Sequence, residues 1–309
     1  MLTAASPTVA SLAPAELERR LAGPGLAVGT GPFVSRIRAP IPQVAEGIAL
    51  LYGDYPLRDE GFADFHVRLR ASGGLRRWYR PQVSFDVDGL APFEPLPLNH
   101  AFPMLEWALN WCISTRAHGW LIVHAAVVER GGRAAILPAP PGSGKSTLCA
   151  ALVSRGWRLL SDELALLRPD DGLLVPVPRP VSLKNRSIDV IRAFAGDPVL
   201  SRPVRDTSKG TVAHLKAPPD SVAQAHRPAL PGWIVFPQYT AGAATALVPL
   251  ERARAFMRVA ENAFNYSHLG AVGFRTLADA VGRSACFEFR YSDLEEAVAT
   301  FDALAQAVA

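Results

Sequence analysis

The chain has 309 residues, 49% of them hydrophobic, which is ample for one large domain or two ordinary ones, and a formal net charge of +4. The positive excess is scattered (Arg19-Arg20, Arg76-Arg77, Arg252 and Arg254), without a block of five or more like charges or a basic run interleaved with aromatics, so no nucleic-acid partner is expected. Cys112, Cys149 and Cys286 are far apart in apolar stretches, no basic n-region opens the chain, and no apolar run approaches the ~18 residues of a membrane span. A cytoplasmic protein with reduced thiols and no membrane segment is expected.

In chain order, the first zone begins with a helix over Pro14 to Leu21 and a Gly/Pro turn at Gly23-Pro24-Gly25. Strands are predicted at Phe33 to Ile37, Phe65 to Leu69 and Val83 to Val87. A connector with four prolines, Pro92 to Pro103, leads into a helix whose Met104, Trp107, Ala108, Trp111 and Cys112 fall on one core-facing stripe. Composition changes near Gly119, dividing the chain into residues 1–118, an α+β accessory domain, and residues 119–309.

The second zone opens on the apolar strand Trp120 to Val128 and turns at Arg130-Gly131-Gly132 into Ala134-Ala135-Ile136-Leu137. Further strands are expected at Arg158 to Leu160, Leu164 to Leu167, Leu173 to Val177 and Trp233 to Phe236. The stretch Ser201 to Pro218 reads as a polar, Pro-rich loop, with Lys209-Gly210-Thr211 and His214 as a candidate acceptor-binding element. Helices are predicted over Leu250 to Phe264, ending near Asn265-Tyr266, and over Asp293 to Val308, the latter opened by a Ser292/Glu295 capping box.

The most informative stretch is Pro138 to Thr147, which ends in Gly142-Ser143-Gly144-Lys145-Ser146-Thr147. Strand, Gly-rich turn, Gly-Lys-Ser, then helix is the context in which a Walker A pattern predicts phosphate binding. Backbone N–H groups at the helix start and the helix dipole favour the anion. Lys145 is positioned to reach the β- and γ-phosphates, and the Ser146 hydroxyl to coordinate Mg²⁺. The first glycine of the pattern is replaced by Ala139, and Pro140 and Pro141 have no N–H, so the donor nest starts at Gly142. ATP and Mg²⁺ are the expected cofactors.

Transfer of a phosphoryl group also needs a carboxylate near the γ-phosphate. Asp162-Glu163, one strand beyond the loop helix, is the best candidate, expected at the carboxyl end of that strand. His124, inside the apolar strand Leu121 to Val127, is a weaker one. Arg179, Lys184 and Asn185 are either phosphate or acceptor contacts or the charges of a Pro-bounded strand and turn.

Taken together, these features resemble the HPr kinase/phosphorylase family, and within it the HPr-related kinase branch. The resemblance rests on a His in an apolar strand, a hairpin into the Walker A loop, and a helix ending in Leu152-Val153-Ser154-Arg155-Gly156 before the acidic pair. Lys145 lies 21 residues after His124 and 17 before Asp162, spacings that suit the family. Looser similarity extends to Leu105–Cys112, Pro178–Asn185 and Ala263–Gly270.

The resemblance implies an α/β P-loop kinase domain of the HPr kinase/phosphoenolpyruvate carboxykinase type behind an N-terminal accessory domain. It implies Asp162 as the base that takes the proton from a serine hydroxyl. Glu163 would hold Mg²⁺ or position Asp162, and His124 would contact the transferring phosphate or tune Asp162. The family's downstream Glu-x-Arg-Gly-Leu-Gly element is absent, so neither the reverse reaction nor HPr itself as substrate is expected. A protein or peptide serine is the expected acceptor, and a homo-oligomer is compatible with the sequence. A small-molecule kinase of the same fold, a nucleotide hydrolase and an ATP-binding regulatory protein are the alternatives.

Overall fold

Alternation of apolar and polar side chains builds the first sheet. In a computed structural model describing residues 7–307, β1 (Leu26–Thr30), β2 (Phe33–Arg38), β3 (Phe65–Ala71), β4 (Gln82–Val87) and β5 (Leu96–Pro97) pair in that order. Buried residues alternate with outward ones along β2, β3 and β4, as a sheet with one covered face requires. That face is covered by α1 (Pro14–Ala22), α2 (Pro42–Leu51) and α3 (Ala101–Arg116). Both α1 and α2 carry Pro in the first turn, where a missing N–H costs nothing. Gly47 lets α2 approach α3, since a Cβ there would meet the Phe102 ring at 2.2 Å.

The second portion starts with β6 (Leu121–Arg130) and β7 (Arg133–Pro138), a hairpin turned by Gly131-Gly132, both at positive φ. There follow α4 (Lys145–Ser154), β8 (Arg158–Ser161), β9 (Leu164–Leu167), β10 (Leu174–Val175), β11 (Val181–Lys184), α5 (Arg186–Ala195), β12 (Val204–Thr207), β13 (Gly210–Leu215) and α6 (Pro219–Ala223). The chain continues through β14 (Leu230–Tyr239), β15 (Ala246–Pro249), α7 (Arg252–Glu261), α8 (Tyr266–Leu269), α9 (Ala271–Arg283), β16 (Ala285–Tyr291) and α10 (Leu294–Gln306).

The central sheet is mixed, ordered β10-β9-β6-β7-β14-β16-β15, with β8 also on β6. The strand entering the phosphate loop, β7, runs parallel to β14, and β14 parallel to β16, while β6 is antiparallel to β7. The long apolar run of β6 follows from burial on both faces. Ile122, Ala126 and Val128 enter one core with α4 and α10, whereas Leu121, Val123, Ala125 and Val127 enter another with α7 and α9. Phe85 of the first sheet and Leu152 of α4 lie in the same buried cluster, so the two portions share a core across the 118/119 boundary. Among the described residues, no helix is long and apolar enough to cross a membrane.

Three sequence expectations are corrected. Ser201 to Pro218 is not a loop: β12 and β13 form a hairpin, and β13 pairs with β11 in a separate three-stranded sheet. The cap of α10 is Asp293, whose carboxylate accepts from the Glu296 N–H at 2.9 Å. Ser292 instead donates to the Ala243 carbonyl. Finally, Asn265 is no mere helix end. Buried beside β6, its side chain accepts from the Ile122 N–H and donates to the Trp120 carbonyl, tying the α7–α8 segment to the strand edge. Val308, the predicted end of the last helix, lies outside the described residues.

Candidate active site

The phosphate loop is held from behind by the ends of β14 and β16. The Tyr239 N–H donates to the Ser143 carbonyl at 2.9 Å, and the Tyr291 hydroxyl donates to the Gly144 carbonyl at 3.1 Å. Gly142 and Gly144 both adopt positive φ, 86° and 90°. At Gly144 the requirement is also steric, since a Cβ would meet the Tyr291 hydroxyl at 2.5 Å and Tyr239 Cβ at 2.9 Å. Around Gly142 there is open space. Gly144→Ala is therefore expected to cost about 1–3 kcal/mol from the strained φ alone. Urea unfolding should show that loss, together with weaker phosphate binding. An unchanged midpoint would mean that the loop is not clamped by the tyrosines.

Four functional side chains converge behind this loop. Lys145, at the first position of α4, is buried, and its Nζ lies 2.9 Å from His124 Nε2 and 4.0 Å from Glu163 Oε2. His124 Nδ1 is 3.4 Å from the same Glu163 oxygen. Burial, then the charge of Lys145, takes His124 down to about 4, so the ring is neutral at pH 7. A charged lysine donating to Nε2 leaves the proton on Nδ1, facing Glu163. Burial alone would raise Glu163, but Lys145, then His124, Lys184 and Lys209 outweigh it and hold the carboxyl below its usual range. For Lys145 the balance runs the other way, and burial leaves its pKa lowered despite Glu163 and Asp162.

Asp162 and Glu163 are placed by an irregularity within one long edge. Strands β8 and β9 pair with successive parts of β6, and the two acids occupy the break between them, opposite Ala125 and Ala126. Such a break re-aims side chains next to a site. Asp162 thus follows the last residue of β8, at the carboxyl end where the sequence placed it, in the bend before β9. Its Oδ2 accepts from the Ser182 N–H at 3.0 Å, whereas Oδ1 is buried without a protein partner. Burial, then Glu163, pushes this carboxyl up to about 6, with Lys145, the Ser182 N–H and Lys184 pulling back.

Asp162 borders a small cavity of about 20 Å³, lined by Glu106, Arg179, Ser182 and His214 together with the apolar Leu164 and Val177. Ser182 Oγ and both His214 ring nitrogens are likewise buried without protein partners. The space suits about one water molecule.

The remaining sequence candidates divide. Lys184 Nζ lies 4.0 Å from Glu163 Oε1, on the site. Lys209 joins it from the β12–β13 turn, with its Nζ 5.3 Å from the Trp107 ring centroid, and its pKa is lowered by burial, then by Lys184. Asn185 pins that turn by accepting from the Thr211 N–H at 2.9 Å. Arg179 is not a phosphate contact. It is buried, pairs with Glu106 at 2.5 Å and donates to Asn110 at 2.8 Å, locking β11 to α3. His124 meets Lys145 and Glu163, and Asp162 takes its hydrogen bond from Ser182 instead. The sequence reading missed Ser182, Tyr239 and Tyr291, because nothing local marks the far partners of a loop. Ser146 and Thr147 stand half-buried in the first turn of α4, and Ser143 Oγ is buried without a protein partner.

A phosphate group fits these residues. The start of α4 has no side-chain cap and no acid in its first turn, and Lys145 is its first residue. For Mg²⁺, the described residues contain no cluster of three or more His, Cys, Asp or Glu arranged to hold a metal. Ser146 and Glu163 would therefore bind it only together with phosphate oxygens, the usual manner for this ion. No protein-family model matches the chain, and no curated protein matches it.

Proposed function

We propose that the chain is an ATP-dependent kinase of the HPr-kinase-like type, transferring the γ-phosphate to a hydroxyl, with a serine of a protein or peptide as the acceptor. The convergence of Lys145, His124, Glu163 and Asp162 behind a Gly-rich helix start carries this reading. Bound Mg²⁺ would neutralise phosphate charge, coordinated by Ser146 and Glu163. Lys145, held on neutral His124 and Glu163 at the start of the loop helix, would turn its ammonium to the phosphates, and Lys184 and Lys209 would add positive charge. Asp162 accepts the hydroxyl proton as the hydroxyl oxygen bonds to phosphorus and the bond to the leaving diphosphate breaks. A carboxyl lifted to about 6 suits a base that works near neutral pH.

One observation favours a second reading. Asp162 is buried and its Oδ1 has no protein partner, as expected if the protein binds ATP for regulation without transferring phosphate. Calorimetric titration with ATP and Mg²⁺, alongside turnover, separates the two. A kinase should lose ATP affinity about tenfold or more in Lys145→Ala, keep it in Asp162→Asn, and turn over only in the wild type. Tight ATP binding with no turnover in any variant would establish the regulatory reading. Unchanged affinity in Lys145→Ala would remove the nucleotide site itself.

A further inference from the structure

The first sheet has helices on one face only. Its open face presents Arg36 and Arg38 from β2, His66, Arg68 and Arg70 from β3, and Asp86 from β4, around a groove of about 330 Å³. The register sets like charges side by side: Arg38 is the lateral neighbour of Arg68, and Arg36 of His66. Asp88, at the groove end, is already paired with Arg116. Among the described residues, Arg36, Arg38, Arg68 and Arg70 form no ion pair; Arg38 donates only to the Pro24 carbonyl, at 3.2 Å. Adjacent like charges on a sheet face destabilise it. Asp86, the register partner of Arg68 on β4, offsets part of that cost, but nothing comparable faces Arg36 or Arg38, and a local arrangement that costs stability in this way points to a functional surface.

The connection after β3 extends this face. Gly74–Arg77 forms a short 3₁₀ turn, and Leu75, Trp78 and Tyr79 are 90%, 79% and 71% exposed. Arg77 stacks on Trp78 at 4.7 Å and Arg80 on Tyr79 at 5.5 Å. The run Arg76-Arg77-Trp78-Tyr79-Arg80 does interleave basic and aromatic residues, which corrects the expectation that the chain holds no such run. Exposed Trp, Tyr and Arg are the residue types that anchor protein interfaces.

We propose that this face docks an extended acidic segment of a protein partner. Alternate residues on a strand are about 6.6–6.8 Å apart. The pairs Arg36/Arg38 and Arg68/Arg70 thus form two rails in step with carboxylates at every second position of an extended peptide. Trp78, Tyr79 and Leu75 receive its apolar side chains. Asp86 favours a peptide, which can offer it backbone N–H donors between its carboxylates, over a phosphodiester backbone, which has no donor to offer. The inference is independent of the phosphotransfer reading.

The test is fluorescence anisotropy with a labelled peptide of alternating Glu and Thr, compared with its Gln/Thr counterpart and labelled single-stranded oligothymidine, combined with thermal unfolding. Arg38→Thr and Arg68→Thr should each weaken binding of the acidic peptide by about three- to tenfold, and the double variant more. Arg38→Thr should raise the unfolding midpoint, because it relieves Arg38–Arg68 repulsion while leaving Arg68 opposite Asp86, an effect opposite to that of losing a structural contact. Lys145→Ala should leave binding unchanged. Preference for oligothymidine, equal binding of the Gln peptide, or binding indifferent to Arg38 and Arg68 would overturn the proposal. So would a lowered midpoint in Arg38→Thr, or loss of binding in Lys145→Ala, which would put the peptide at the phosphate loop.

Discussion

Asp162→Asn is expected to cut phosphoryl transfer by about 10²–10⁴-fold while leaving ATP affinity unchanged. The amide keeps an oxygen for the Ser182 N–H, so the geometry of the β8–β9 break survives and only the base is lost. In the wild type, transfer should fall as pH drops through about 6, where this carboxyl protonates, and level off above it. Its folded pKa lies above the unfolded value of about 3.9. Its stabilising contribution is therefore full below that value and is lost as pH rises through about 6. Asp162→Asn should accordingly unfold at a higher temperature than wild type at pH 8, and the gap should shrink towards pH 4. Melting curves and rates of both proteins across this pH range check both halves. A variant less stable than wild type at pH 8 would show that the ionised carboxylate is structural.

The other large effect is expected far from the phosphate loop, at Glu106 and Arg179. The ion pair is buried, and Arg179 additionally donates to the Glu106 carbonyl, while the Tyr52 hydroxyl donates to Glu106 at 2.6 Å. Removing one partner leaves a charge stranded in a low-dielectric interior, at a cost of about 3–5 kcal/mol. Glu106→Ala or Arg179→Met alone should lower the urea midpoint accordingly, whereas Glu106→Met with Arg179→Met should recover much of the loss. Because these residues wall the cavity behind Asp162, the single variants should also depress transfer. Single variants as stable as wild type would mean that water reaches the pair and screens it.

Much of the site was legible because its residues cluster in sequence. The phosphate loop, the strand before it and the helix after it follow from local pattern, and Asp162-Glu163 lies only one strand further on. The identity of β6 as a strand buried on both faces was readable in Leu121 to Val128 for the same reason. Long-range partners were not readable. Tyr239 and Tyr291 clamp the loop from strands about a hundred residues away or more, and no local periodicity announces a backbone hydrogen bond between distant strands. The β12–β13 hairpin was read as a loop because Pro203 and Lys209-Gly210 are turn signals, and its short strands gain their order only by pairing with β11. That pairing brings Lys209 to Glu163. Arg179 misled in the opposite direction, since a charged residue between prolines reads as solvated until Glu106, on another helix, is seen to neutralise it.

The central claim is transfer from ATP to a hydroxyl with Asp162 as base. Its most direct measurement is γ-labelled ATP and Mg²⁺ incubated with the protein and a lysate of acceptor proteins, followed by acid hydrolysis and identification of the labelled amino acid. Labelled phosphoserine that requires both Lys145 and Asp162 is the expected result. Label released only as inorganic phosphate, at a rate unaffected by Asp162→Asn, would contradict it.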